Sequence, residues 1–86
     1  MASIEEVRAG ISLANDKASE SIGALQQAHS SLEQAQAALM RVTEGSTQAD
    51  VSDANGLLAQ AVGTVLEVQQ QVASAIQAAE GVANRL

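Results

Sequence analysis

The sequence predicts an all-α fold, an antiparallel two-helix hairpin (a coiled coil) that pairs into a four-helix bundle dimer. Apolar residues recur in steps of three and four along two long segments, which is the spacing of a coiled-coil seam and not of β-strands. A short polar break separates the two segments. The 86 residues include no aromatic residue, cysteine or proline. The core must therefore come from many small helix–helix contacts rather than from large rings or disulfides.

The first helix is predicted over about residues 4–43. Ser3 and Glu6 have the spacing of a capping box, which marks the start of a helix. Eleven of the twelve positions in the three–four pattern are apolar, and Ser21 is the exception. The predicted seam positions of this helix are Ile4, Val7, Ile11, Ala14, Ala18, Ser21, Leu25, Ala28, Leu32, Ala35, Leu39 and Val42.

A turn is predicted at about residues 44–47. Gly45 can adopt the left-handed conformation that often follows the last residue of a helix. Ser46 or Thr47 can then cap the second helix with a side-chain oxygen. Because so short a connection cannot carry the chain far, the two helices must run antiparallel.

The second helix is predicted over about residues 48–85. Asn55-Gly56 is a turn dipeptide that would allow a longer loop, but the apolar pattern continues through it, so we expect only fraying there. All eleven positions of the pattern are apolar. The predicted seam positions are Val51, Ala54, Leu58, Ala61, Val65, Val68, Val72, Ala75, Ala79, Val82 and Leu86.

The second helix has more apolar surface than one seam requires. Glu67 is the single charged residue between Ala54 and Ala79, and additional apolar residues widen the stripe. A lone hairpin would expose this stripe, and large exposed apolar patches usually mark binding surfaces. We therefore predict a second interface, either in a homodimer or in a heterodimer with another helical protein. The predicted interface residues are Leu57, Val62, Leu66, Ala73, Ile76 and Ala83.

The charge balance excludes several classes of partner. Ten acidic residues against four basic ones give a net charge of −6, and the basic residues are scattered, so we expect no nucleic-acid binding. No apolar run approaches the ~18 residues of a membrane span, and the segment MASIEEVRAG lacks the layout of a secretory signal. We expect a soluble cytoplasmic protein, or one exported without a cleavable signal peptide.

The candidate chemical sites are weak. His29 is the only histidine and the chain has no cysteine, so neither a metal centre nor a nucleophilic site can be completed around it. The segment Asp53-Ala54-Asn55-Gly56 is similar to part of a calcium loop, but Val51 and Val62 would occupy ligand positions and cannot coordinate. We expect no enzyme, no catalytic or metal site, no cofactor and no small-molecule substrate, but a structural or protein-interaction module.

The layout of the whole chain resembles the Trp-x-Gly family of small helical-hairpin proteins that are exported by type VII secretion. Members of that family are acidic, lack a signal peptide and form dimeric four-helix bundles. Here Glu44-Gly45-Ser46 stands between the helices in place of Trp-x-Gly, and residues 83–86 contain no tyrosine signal. The resemblance therefore implies the architecture and a secreted effector or secretion partner as an alternative function, without assigning a role to any residue.

A second alternative is a small regulator or chaperone-like protein that sequesters a helical partner. It predicts a specific heteromeric complex that outcompetes the homodimer.

Overall fold

The computed structural model describes residues 2–86 as two antiparallel α-helices joined by a short turn. Helix α1 comprises Ile4–Val42 and helix α2 comprises Ala49–Arg85. Residues 2–86 contain no strand. The molecule measures 63 × 18 × 16 Å, so the two helices lie side by side over their full length. The predicted helical hairpin is confirmed.

The start of α1 has the expected cap. The Ser3 hydroxyl oxygen accepts a hydrogen bond from the Glu6 backbone N–H at 3.1 Å, which satisfies one of the free N–H groups of the first turn. Glu5 and Glu6 lie in the first turn and Arg41 lies in the last. Each charge is therefore at the end of the helix where the helix dipole stabilises it.

The turn begins with Thr43, whose hydroxyl donates to the Leu39 carbonyl at 2.6 Å and whose backbone N–H reaches the same carbonyl at 3.0 Å. Gly45 has a φ of 82° and, within residues 2–86, is the residue with positive φ. This left-handed conformation costs a glycine little because it has no Cβ. The prediction that Gly45 adopts the left-handed conformation is confirmed.

The predicted cap of α2 is wrong. Gln48 occupies the cap position and makes no side-chain cap hydrogen bond with the described residues. Ser46 instead accepts a hydrogen bond from the Gln48 backbone N–H at 3.3 Å, so its hydroxyl holds the turn, and no cap bond from Thr47 is seen in residues 2–86. The Asp50 carboxylate accepts from the Val51 N–H at 3.0 Å. Asp50, in the first turn of α2, thus provides the hydrogen-bond acceptor that was expected from the side chain at the cap position.

The seam of α1 differs from the predicted one at every second position from Ala14 onwards; before it, Val7 is half-buried as predicted, but Ile4 is exposed. The residues at seven-residue intervals are half-buried as predicted, namely Ile11, Ala18, Leu25, Leu32 and Leu39. The residues three positions after each of them are exposed, namely Ala14, Ser21, Ala28, Ala35 and Val42. The residues four positions after each of them are half-buried instead, namely Asn15, Ile22, His29, Gln36 and Thr43.

Side-chain size accounts for the rotation of α1 at Ile22, His29 and Gln36, though not at Val42 and Thr43. Ile22 removes more apolar surface from water than the neighbouring Ser21 would, because the free energy of burial scales with apolar area. His29 and Gln36 also offer more carbon surface than the alanines that precede them. In α2 the predicted positions are half-buried except three near its end, which are Ala75, Val82 and Leu86. Asn55 and Gly56 lie inside α2, so the longer loop does not form.

Two helices alone leave the core incomplete. None of the residues 2–86 is fully buried, and the accessible surface is 6162 Å². A compact monomer of 8.7 kDa exposes about 4,700 Å². The radius of gyration is 19.3 Å, compared with about 12 Å for a compact domain of this length. The hairpin therefore keeps about 1,400 Å² more surface in water than a compact fold of the same mass.

Candidate interaction surface

The six residues predicted to form a second interface do not share one face of α2. Those half-buried in the hairpin are Val62, Ile76 and Ala83, and those exposed are Leu57, Leu66 and Ala73. Leu57 is 66% exposed and Leu66 is 42% exposed. Nine residues separate them, which is two and a half helical turns, so they lie on opposite sides of the helix. The stripe predicted as one surface is thus divided by the seam.

The rotation of α1 leaves a face of small residues uncovered, which we call the alanine face. In an antiparallel pair of right-handed helices, residues three positions after a seam residue lie on the same side of the pair in both helices. The exposed small and apolar members of the alanine face are Ala14, Ser21, Ala24, Ala28, Ala35, Ala38 and Val42 of α1 and Leu57, Ala75, Ala78 and Val82 of α2, and the exposed polar residues on the same side include Ser31, Thr64 and Gln71. Its floor, between the helices, consists of the half-buried Ala54, Ala61 and Val68.

Three charged residues lie on the same side of the hairpin as the alanine face, namely Lys17, Asp50 and Arg85. The side chain of Lys17 is 70% exposed and pairs with Glu20, with 3.5 Å between its Nζ and the Glu20 Oε2; Lys17 precedes Ala24 by seven residues and lies on the same side of α1. Asp50 and Arg85 precede and follow Leu57 on α2 at multiples of seven residues, so all three lie on one side of α2. The alanine face therefore has one charged residue near its middle, Lys17, and opposite charges at the two ends of α2.

The opposite face of the hairpin combines polar and charged side chains with exposed apolar ones, Leu66 and Ala73 among them. The side chain of His29 is 22% exposed there, and its Nδ1 lies 3.1 Å from the Glu33 Oε1. Towards the chain termini, a groove of about 260 Å³ runs between the two helices. It is lined by Arg8, Ile11, Ser12, Asn15, Asp16, Glu80 and Ala83. Burial of this face would remove water from several charged groups and amides, which carries a large desolvation cost.

One amide in the seam lacks a partner. The Asn55 Oδ1 is buried and accepts no hydrogen bond from residues 2–86. The groove near the termini contains both Ile11 and Glu80, and this register places Gln36 level with Asn55. Two amides thus interrupt the apolar layers at this level of the seam. The apolar pattern of the sequence did not predict a polar residue there.

The other candidate sites do not converge. Asp53 is exposed while Asn55 lies in the seam, so the segment similar to a calcium loop does not gather its oxygen atoms. Within residues 2–86, no group of three or more His, Asp or Glu side chains is placed to hold a metal ion. Neither helix, over the residues described, combines the length and the hydropathy of a membrane span.

Comparisons of the chain with protein-family models, with curated proteins and with solved structures find no significant match. The function therefore has to be inferred from the surface of the hairpin itself, and the uncovered apolar side chains are its main chemical feature.

Proposed function

We propose that the chain is a non-enzymatic protein-interaction module, a helical hairpin that completes its core by packing against further helices. The simplest partner is a second copy, because two hairpins make a four-helix bundle. The observation that supports this proposal is the unfinished core, since no residue within 2–86 is fully buried. A helical protein of other sequence that presents an apolar face would bind in the same way.

The surface area is sufficient for such an interface. A standard protein–protein interface removes about 800 Å² from each partner. The hairpin has about 1,400 Å² more exposed surface than a compact monomer of its mass. The large apolar side chains in contact with water include Leu13 at 62% and Leu57 at 66% exposure. Burial of each such side chain contributes about 1.5–3 kcal/mol.

Light scattering coupled to size-exclusion chromatography tests the proposal. We expect a mass of twice the 8.7 kDa of the chain, falling to the monomer mass on dilution. A monomer mass at ~100 µM would contradict self-association, because a functional dimer needs a Kd in the micromolar range or below.

A further inference from the structure

We infer that α1 has a second packing position against α2, which it reaches by rotating about 50° around its own axis. The rotation moves one row of residues out of the seam and brings in the row that precedes it by one position. The seam row, which is half-buried in the observed hairpin, is Asn15, Ile22, His29, Gln36 and Thr43. The outer row, which is exposed, is Ala14, Ser21, Ala28, Ala35 and Val42. The rotation concerns the contact within one chain and does not depend on self-association.

Both packing positions share the central row of α1, which lies between the seam row and the outer row. Successive residues of an α-helix are 100° apart, so the seam row lies about 40° to one side of the central row and the outer row about 60° to the other. Rotation by about 50° moves each Cα atom by only about 2 Å, and the central row keeps its contact with α2. The central row is Ile11, Ala18, Leu25, Leu32 and Leu39.

The two rows differ little in how much their burial stabilises the hairpin, except at one level. His29 and Gln36 bring more carbon surface into the seam than Ala28 and Ala35 would, but they also take polar atoms out of water. Val42 is 79% exposed in the observed position, and the rotation turns this apolar side chain towards α2. The outer row is therefore a competing seam at these levels.

Ile22 is the residue that holds α1 in the observed position. It is the apolar member of the seam row, and Ser21 precedes it in the outer row. Burial of an isoleucine in place of a serine favours the observed position, because the free energy of burial scales with apolar area. The Ser21 hydroxyl donates to the Lys17 carbonyl at 3.2 Å. This bond lies within α1 and is kept on rotation, so burial of Ser21 carries little penalty.

Helix α2 presents apolar surface to both rows. On the side of the outer row, Ala54, Ala61 and Val68 are half-buried, and the rotation covers them further. On the side of the seam row, Val62 and Ile76 are half-buried, and the rotation uncovers part of them. These two changes oppose each other, so α2 does not strongly favour either position of α1.

The buried amide of Asn55 favours the second position. Its Oδ1 accepts no hydrogen bond from residues 2–86 in the observed position, and Gln36 lies level with it in the seam. Rotation of α1 withdraws Gln36 from Asn55 and admits water to the Oδ1. A buried acceptor without a partner is unfavourable, so its hydration stabilises the rotated hairpin.

The rotation exchanges the surface that the hairpin offers to a partner. In the observed position the small side chains of the outer row are exposed. In the second position the imidazole and the amides of the seam row are exposed instead. A partner that binds one of these surfaces more tightly shifts the equilibrium towards it, by the ratio of its affinities for the two positions. The hairpin thus contains a conformational switch.

Two adjacent thiols measure the rotation, because the chain has no cysteine of its own. Ala28→Cys places a thiol in the outer row and His29→Cys places one in the seam row. The rate of alkylation by iodoacetamide is measured for each. In the chain that keeps Ile22, we expect the thiol at position 28 to react faster, since Ala28 is exposed and His29 is half-buried.

An exchange of two neighbouring residues tests the switch without changing the composition. The double variant Ser21→Ile, Ile22→Ser moves the isoleucine from the seam row to the outer row. We expect it to shift the ratio of the two packing positions about tenfold or more, so that the thiol at position 29 becomes the faster one. Each thiol is compared with itself with and without the exchange, which removes differences in intrinsic reactivity between the two sites.

Two outcomes of the exchange would overturn the inference. If circular dichroism shows that helicity is retained and the thiol at position 28 still reacts faster, α1 has a single packing position. If both thiols react as fast as in the urea-unfolded chain, the outer row cannot hold α1 against α2.

A second pair of variants adds apolar surface, so that loss of folding is not the expected result. Ala35→Leu strengthens the outer row, and Gln36→Leu is the matched control in the seam row. We expect Ala35→Leu to speed the alkylation of the thiol at position 29 several-fold and Gln36→Leu to slow it. Equal effects of the two leucines would contradict a rotation.

Protein concentration separates the switch from the proposed self-association. Protection of a thiol by a second copy is lost on dilution, whereas rotation within one chain is independent of concentration. A reversal of the two rates that persists on dilution supports the switch, even if light scattering finds a monomer and contradicts the proposed dimer. A reversal that disappears on dilution arises from association and refutes the switch.

Discussion

At the scale of single residues, the hairpin depends on Gly45. Its φ of 82° lies in a region that side chains with a Cβ adopt only at a cost. The surrounding hydrogen bonds, from Ser46 N–H to the Thr43 carbonyl at 3.0 Å among them, depend on that conformation. The five other glycines of the chain lie within the helices, where glycine is less favourable than alanine because it is a poor helix former.

We expect Gly45→Ala to lower the free energy of unfolding by about 1–2 kcal/mol, because alanine in the left-handed region is strained. Gly63→Ala is the matched control, since beyond the adjacent turns of its own helix backbone a methyl group at Gly63 would meet no described atom within 4 Å. It should raise the free energy of unfolding by up to ~1 kcal/mol, because glycine is a poor helix former. Urea denaturation followed by circular dichroism measures both. Equal effects of the two substitutions would show that the turn is not strained by a Cβ.

At the scale of the helices, the sequence is sufficient to predict the N-terminal cap of α1, the left-handed Gly45 and the seven-residue repeat, but not the C-terminal cap Thr43 or the rotation of α1. Counting apolar positions gives Ala28 and Ile22 the same weight. Packing distinguishes the two residues, since an isoleucine buries far more apolar area than an alanine. The alanine face follows from that difference, and could have been found by weighting each seam position by side-chain size. The predicted interface residues on α2 assume a seam that α1 does not use.

The amide in the seam provides a test at this scale. We expect Asn55→Leu to raise the free energy of unfolding by about 1–3 kcal/mol, because it removes a buried oxygen without a hydrogen bond and adds apolar surface to the seam. Asn84→Leu, at an exposed position of α2, should have little effect. Thermal unfolding measured by circular dichroism compares the two. Destabilisation by Asn55→Leu would indicate that the amide is satisfied in solution.

At the scale of the whole molecule, the hairpin is a rod of 63 Å with uncovered apolar surface on both sides of its seam. Stability in such a chain is shared between the contacts within the hairpin and those between copies. Folding and association are then linked by mass action.

We expect the melting temperature to fall when the protein is diluted, because dissociation precedes or accompanies unfolding in a dimer. Calorimetry or circular dichroism over a hundredfold range of ~1–100 µM, chosen to span a micromolar Kd, makes the comparison. A melting temperature of the unmodified chain that does not change with concentration would contradict the linkage.

The absence of any fully covered side chain within residues 2–86 also affects how fast the backbone exchanges with solvent. In a lone hairpin, small openings suffice to expose each amide, so the slowest class of hydrogen exchange, which requires global unfolding, should be nearly empty. When a partner covers one side of the hairpin, amides of this slowest class should appear first along the covered side. The isotope pattern of the amides would thus map the contact without a label or a substitution.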